Sequence, residues 1–412
     1  MTNFERKNCR LCGSRNMEVV LHLEPTPSGD AYITTEKLQE KQELYPLDIM
    51  LCIDCGHSQL SVVVDPEILY KNYIYTTSIS LGLSEHFKEY ARSEIEKIKP
   101  AKGSFVLDIG SNDGTLLAYF KSYGLEVLGV DPAPAAKIAA EKKGVETLTE
   151  YFTSQLAEEI KKDKGCASII TANNAFANID SLSDIMKGIK NLLSDDGVFI
   201  LETSYLLPVL QKLLIETIFH EHISYFSVKP LKLFFKNYGM ELFNVKEVST
   251  KGGSIRCYAQ LAGGGRPISD SVEEIISIEE ENNIHKKEGF EKFYGHINTI
   301  KVELIRLLKE LRNKGKKIAG YGASVGVTTL IYFFDIRPYV EYLIDDNPVR
   351  HNLFSPGYHI PVLSSDIIDE KKPDYIVIFA WGYTDIIIKK NREFINNGGK
   401  FIIPLPEVKI IS

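Results

Sequence analysis

Four of the six cysteines stand in two equal spacings, Cys9-Arg-Leu-Cys12 and Cys52-Ile-Asp-Cys55, and each pair is followed by glycine, Gly13 and Gly56. A CxxC turn aims two sulfurs at one point, and two such turns can close a tetrahedral thiolate shell around Zn²⁺. A closed shell leaves no position for substrate water, so the expected metal is structural. Whatever the first 70 residues fold into must therefore bring the chain near residue 10 against the chain near residue 53. Disulfides are the rival use of paired cysteines, but the start MTNFERKNCR lacks the apolar run that an export signal needs. The expected compartment is the cytoplasm.

The longest apolar stretch, VFILETSYLLPVLQKLLIETIF, is interrupted by Glu202, Pro208, Gln211 and Lys212, so no membrane span is expected. The 48 basic and 55 acidic residues are mixed without long single-sign blocks, which excludes a basic groove and hence a nucleic-acid partner. At 412 residues the chain exceeds the usual domain size of about 100 to 200 residues, so two or three domains are expected. After the cysteine-bearing residues 1–70, strand-like runs (FVLDIG, EVLGVDP, ASIITANN, GVFILETS) alternate with helical ones, the pattern of parallel βαβ units. The pattern pauses in a charged helical stretch and resumes in KKIAGYGASVG, VEYLIDDNP, DYIVIFAWGY and KFIIPLP. The reading is an α/β protein divided into 1–70, a zinc-binding module; 71–265, a doubly wound domain; 266–314, a helical connector; and 315–412, a second, smaller α/β domain.

Val106-Leu-Asp-Ile-Gly110-Ser-Asn-Asp-Gly114 is a buried strand running into a glycine turn that opens a helix, where the backbone can approach a ligand closely. Its spacing is GxxxG rather than GxGxxG, and Asp113 would repel a pyrophosphate, so a cationic or neutral ligand fits better. The next strand ends in GVDP with Asp131 placed to accept ribose hydroxyls, and a later one ends in TANNAF with Asn173 and Asn174. Together these strand ends resemble the S-adenosylmethionine site of class I methyltransferases. The resemblance makes Asp108, Gly110, Asn112, Asp113, Gly114, Asp131, Asn173 and Asn174 candidate cofactor-binding residues.

IFHEHISYF carries His220, Glu221 and His222 side by side. The HExxH pattern of zinc proteases fails because Ser224 stands three residues after Glu221. On a strand or turn the two histidines face opposite ways, which makes shared metal ligation awkward. Two uses remain: polar groups satisfied locally, or one histidine that moves a proton while Glu221 orients or tunes it.

Taken in order, the CxxC pairs, YIYTTSIS, LDIGSNDGTLL, GVDPA, ANNAFANID, FHEHISYFS, KGGSIRCY, GYGAS, IDDNP, SPGYHIPV and FIIPLP resemble the S-adenosylmethionine-dependent sugar C-methyltransferases across essentially the whole chain. That family joins an N-terminal zinc-binding domain, a methyltransferase domain and a C-terminal Rossmann-like domain, and methylates carbon 3 of nucleotide-linked 4-keto-6-deoxy sugars. The resemblance implies His222 as the base that forms an enolate, with Glu221 tuning it, and His220 and Tyr75 as further catalytic candidates. It implies a nucleotide-diphosphate sugar held near Tyr321, Gly322, Ser324 and Asp345, with Asn178 and Phe219 on the sugar side. The chain differs from the family motif at Phe219, Asn178 and Val325, where relatives carry tyrosine, histidine and lysine. Methyl transfer to oxygen or nitrogen of a related sugar, or binding without turnover, are the alternatives that these differences keep open. A monomer or weak oligomer is expected.

Overall fold

A computed structural model of the chain describes residues 4–70 and 82–412. Tyr75 lies outside the described residues.

The N-terminal part is built on short strands: β1 (Phe4–Glu5), β2 (Met17–Leu21), β3 (Ile49–Cys52), β4 (Ser58–Leu60) and β5 (Val62–Val63). β2, β3 and β4 form an antiparallel meander, and β1 pairs with β5. So few strands bury little apolar area, which is why a small module of this kind depends on a metal staple.

The central sheet has seven strands in the order β12-β13-β10-β9-β6-β7-β8. They are β6 (Phe105–Ile109), β7 (Glu126–Val130), β8 (Thr147–Leu148), β9 (Ala167–Asn173), β10 (Leu193–Ser204), β12 (Met240–Val248) and β13 (Ser254–Leu261). β6 to β10 run parallel, and β13 enters antiparallel beside β10. Every residue of β6 is buried, as a parallel strand covered on both faces requires. The order reverses between β6 and β9, so a crevice is expected outside their carboxyl ends. One short strand leaves this sheet: β11 (Ser224–Tyr225) pairs antiparallel with β4, giving the N-terminal sheet the order β11-β4-β3-β2.

The charged stretch after β13 forms two helices, Ser271–Glu281 and Lys287–Asn313. The longer one buries Phe290, Phe293, Ile297, Ile300, Leu304, Leu308 and Leu311, a stripe at intervals of three and four that fits one helix face. The C-terminal sheet has the order β16-β15-β14-β17-β18-β19, formed by β14 (Ile318–Tyr321), β15 (Leu343–Ile344), β16 (Val362–Leu363), β17 (Tyr375–Ile378), β18 (Lys400–Ile403) and the antiparallel β19 (Lys409–Ile411). Its order reverses between β14 and β17. The protein is thus α/β, with a small cysteine module and two Rossmann-like sheets. Among the described residues no helix is long and apolar enough to cross a membrane.

Candidate active site and metal centre

The sulfurs of Cys9, Cys12, Cys52 and Cys55 all lie within 4.8 Å of one another. Each knuckle closes by a hydrogen bond from its glycine, Gly13 N–H to Cys9 O (3.0 Å) and Gly56 N–H to Cys52 O (2.8 Å). Both glycines need the left-handed region, with φ of 77° and 83°. Hydrogen bonding from Cys55 draws Cys9 down to about 5, and the same contact with burial pushes Cys55 far up. Four crowded thiols cannot all ionise unaided, whereas a divalent cation would let them. The donor set therefore fits Zn²⁺.

The module does more than hold metal. Arg10, inside the first knuckle, donates Nε to Asp180 (2.9 Å) and Nη1 to Ile223 O (2.7 Å), while Arg6 reaches the same carboxylate at 2.6 Å. Ile223 follows the HEH triplet directly, and β11 follows Ile223. The cysteine module thus clamps the outgoing end of HEH by a strand pairing and a buried arginine, neither of which local sequence signals.

At the carboxyl ends of β6, β7 and β9 lies a cavity of about 1260 Å³ lined by Asp108, Gly110, Asn112, Asp131, Asn173 and Asn174. Gly110 has φ 73°, and a methyl group there would lie 2.7 Å from Ala175 Cβ, so only glycine lets β6 turn so close to the end of β9. Asp131 accepts from Asn112 N–H and Ala133 N–H, both at 2.9 Å, which fixes its carboxylate at the rim and leaves lone pairs for two hydroxyl donors. Burial pushes Asp108 up to about 7, partly offset by Thr171 (2.6 Å) and Asn173 (3.4 Å). Within the described residues the buried amide oxygens of Asn173, Asn174 and Asn178 have no hydrogen-bond partner. Such orphaned acceptors call for a donor-rich ligand. Two rim carboxylates, unpaired acceptors and apolar walls from Ile109, Leu116 and Phe152 suit the diol, ammonium and adenine of S-adenosylmethionine. The volume exceeds the roughly 300 to 1,000 Å³ of an ordinary small-molecule site, so a second ligand has room beside it.

Asp113 and Gly114 do not line this cavity. Asp113 turns into the helix Thr115–Ser122, accepting from Thr115 N–H (3.2 Å) and Thr115 Oγ1 (2.6 Å), and pairs with Lys143 at 2.8 Å. It satisfies one of the unpaired N–H groups that open every helix, a demand that competes with ligand binding for the same residue. Gly114 packs against the next helix, where a methyl would stand 3.0 Å from Ala140 Cβ.

The HEH residues part company in space. His220 is buried, and its Nε2–H donates to Tyr45 O (3.2 Å) in the cysteine module. That contact makes it a fastener between segments. His222 donates Nδ1–H to Thr217 O at 3.0 Å, which leaves Nε2 as a lone-pair base, and it stacks on Phe219 with ring centroids 4.0 Å apart. Burial, then the charge of Lys251, lowers it to about 4, so it is neutral throughout the physiological range. Glu221 is pushed up to about 8 by burial and by Asp30, against the pull of Arg350 and Lys251. Neither His222 nor Glu221 lines the large cavity, but Asn178 and Lys251 do.

In the C-terminal sheet, Gly322 sits at φ 111° with a methyl position 2.9 Å from Ala380 N, Ser324 precedes the helix Val325–Phe334, and Tyr321 donates its hydroxyl to Asp346 (2.9 Å). Asp345 accepts from Ala323 N–H (2.6 Å) and Asn347 N–H (2.8 Å).

Two groups of functional interest were not legible in the sequence. One is Lys251, which the sequence shows only as the first residue of KGGSIRCY, with no sign that it reaches the cavity. The other is a buried ion cluster in which Arg256 meets Glu202 at 2.7 Å and Glu94 at 2.9 Å, and His86 meets Glu202 at 2.7 Å. It ties the helix Leu83–Ile98 to β10 and β13.

Family models match three successive portions of the chain: a zinc binding domain over residues 9–70, a methyltransferase domain over 83–245, and a C-methyltransferase C-terminal domain over 249–406. C-methyltransferase NovU of Streptomyces niveus is 31% identical over 405 residues, 98% of this chain and 96% of that one. A ubiquinone biosynthesis O-methyltransferase of Azorhizobium caulinodans is 25% identical over 122 residues, 29% of this chain and 47% of its own. A solved magnesium protoporphyrin IX methyltransferase of Synechocystis, with bound S-adenosylhomocysteine, covers 47% of this chain and 91% of its own at 16% identity and a TM-score of 0.36, too low to carry an argument.

Proposed function

The chain belongs to the C-methyltransferase family and is an S-adenosylmethionine-dependent methyltransferase, and from that premise we propose that it methylates the carbon next to the ketone of a nucleotide-linked keto-deoxysugar through an enolate. The observation that carries this reading is His222, a neutral imidazole whose Nδ1–H is held by Thr217 O so that Nε2 is a free base. Carbon needs that base. A hydroxyl or amine brings its own lone pair to a methyl group, whereas a C–H bond must first be ionised, and a ketone next door is what makes it acidic enough.

Bound S-adenosylmethionine supplies an electrophilic methyl on sulfur. Asp131 is assigned to its ribose hydroxyls, and Asp108, Asn173 and Asn174 to its polar end, with Gly110 and Asn112 as backbone floor. His222 takes the proton from carbon. Glu221, raised to about 8 by burial, stays largely protonated at neutral pH and can donate to a developing oxyanion or return a proton. The nucleotide is assigned to the turn containing Tyr321, Gly322 and Ser324, where Arg350 brings a cation whose buried Nε has no hydrogen-bond partner among the described residues. Base catalysis supplies roughly 10² to 10⁴-fold, so stabilisation of the enolate oxygen must supply much of the rest. Four free thiols set to take up zinc support a reducing compartment, the cytoplasm, as the setting of this activity.

Phe219 cannot donate to an enolate oxygen, and with Asn178 and Val325 it keeps open transfer to oxygen or nitrogen instead. Products made with ¹³C-methyl-labelled S-adenosylmethionine and a panel of thymidine-, uridine- and guanosine-diphosphate 4-keto-6-deoxy sugars decide the matter by NMR. Carbon–carbon coupling to the new methyl is expected, and a methyl on oxygen or nitrogen would sink the enolate reading.

A further inference from the structure

Lys251 is the lone cation among the described residues lining the large cavity, against Asp65, Asp108, Asp131, Glu150, Asp180 and Asp184. It stands in the left-handed region, φ 52°, followed by Gly252 at 86° and Gly253 at 148°. A lysine in that region is uncommon and persists only where the surroundings over-determine it. Here they do. A methyl at Gly252 would meet Leu214 Cδ1 at 2.7 Å, and one at Gly253 would meet Pro208 Cβ and Cγ at 2.6 Å. Lys212 Nζ donates to Gly252 O (2.7 Å), Tyr205 N–H to Gly253 O (3.2 Å) and Gly253 N–H to Thr250 O (3.0 Å). The turn is pinned from several sides, and its consequence is to carry the lysine to the cavity wall, where its charge reaches Glu221 and His222.

We infer that Lys251 is a catalytic residue of this enzyme, its ammonium group receiving the oxygen on which the enolate charge develops; the inference rests on the reaction proposed above. Both members of the acid/base pair feel its charge: it helps hold His222 neutral and partly offsets the upward push on Glu221. Its charge keeps the waiting base neutral and opposes the imidazolium that the transfer forms, a cost that its attraction for the developing oxyanion offsets. Lys251 is exposed as a residue, and desolvation of its ammonium draws it down to about 8, against the attraction of Glu202 and Glu221, so it remains mostly charged at neutral pH. The electron count closes. The proton moves from carbon to His222, the C–H pair becomes the C=C bond, and the carbonyl π pair settles on oxygen beside Lys251. On methyl transfer the enolate pair forms the new C–C bond, the ketone re-forms, and the S–CH₃ pair leaves with sulfur as a neutral thioether.

The test is uptake of solvent deuterium at the carbon next to the ketone, followed by mass spectrometry with the same panel of keto-sugar nucleotides and no methyl donor. The intact enzyme is expected to exchange. Lys251→Met should slow exchange by roughly 10² to 10³-fold, the usual loss of one oxyanion donor, while zinc content and S-adenosylhomocysteine affinity stay at wild-type values. Lys251→Arg should recover part of the rate. Exchange at the wild-type rate in Lys251→Met would overturn the inference, as would a fall in S-adenosylhomocysteine affinity with exchange intact, which would make the lysine a cofactor-carboxylate ligand. Absence of exchange in the intact enzyme would instead remove the enolate reaction itself, and the role of Lys251 with it.

Discussion

The two Rossmann-like sheets repeat one local device with opposite outcomes. In the central sheet Asp131 accepts N–H groups from Ala133, two residues on, and from Asn112 in the glycine turn after β6. In the C-terminal sheet Asp345 accepts from Asn347, two residues on, and from Ala323 in the glycine turn after β14. Each carboxylate ties the end of the second strand to the turn after the first, at a point where strand order reverses. The central edge opens into the large cavity. The C-terminal edge is partly covered by the chain and leaves Ser324 exposed: Tyr32 donates to Ala323 O (2.7 Å), Thr328 to Gly29 O (2.9 Å), Arg350 to Asp30 (2.7 Å) and Thr329 to Ile218 O (2.6 Å). A glycine turn with an acidic neighbour is thus a tool for joining strands, and whether it becomes a site depends on what packs over it. Here the same cysteine module does both jobs, since Phe4, Val63 and Asp65 wall the open edge while residues 29–32 narrow the other.

The largest effect should come from removing the module's staple. Cys52→Ser is expected to abolish a stoichiometry of one zinc per chain, and because structural zinc contributes on the order of 10 kcal/mol to small domains, the module should unfold. Hydrogen exchange should then rise at residues 29–32 and at the turn 320–326 together; protection retained at that turn would break the claim that the module covers it.

His222→Asn addresses the open side. Turnover should fall by roughly 10² to 10⁴-fold while S-adenosylhomocysteine affinity holds, and near-normal turnover would refute its role as the base. Gly326→Ala addresses the closed side, because a methyl there would overlap the Glu216 carbonyl. A stability loss of about 1 to 3 kcal/mol is expected in thermal melts, with cofactor affinity unaltered; a neutral substitution would show that the edge is looser than its contacts imply.

The smallest effect concerns pH. The folded chain holds a proton on Glu221 up to about 8, whereas the unfolded chain releases it near the ordinary carboxyl value. Stability from this group is therefore full at acid pH and is lost as pH rises through 8. Glu221→Gln should melt higher than the parent at pH 9 and lose most of that advantage at pH 4; equal melting at both values would place Glu221 in water.

The difference between the edges also marks what could be read from sequence. The cysteine site is legible because its geometry is written in CxxC spacing, and the βαβ alternation reveals both sheets. Of the cofactor candidates in the glycine turn and the next strand end, Gly110, Asn112 and Asp131 line the large cavity, whereas a helix start claims the side chain of Asp113. The resemblance offers His220 as a catalytic candidate, yet its ring reaches across to Tyr45 O. The transfer of β11 to the cysteine module, the Arg10–Asp180 clamp and the position of Lys251 depend on contacts between distant segments, which no local pattern announces.

The comparison is tested most directly by calorimetric titration of S-adenosylhomocysteine into the wild-type chain, Asp131→Ala and Asp345→Ala. One site per chain is expected, weakened about 10- to 100-fold by Asp131→Ala, the cost of charge-assisted hydrogen bonds, and unchanged by Asp345→Ala. Equal weakening by both substitutions, or a second site in the wild-type chain, would contradict the account.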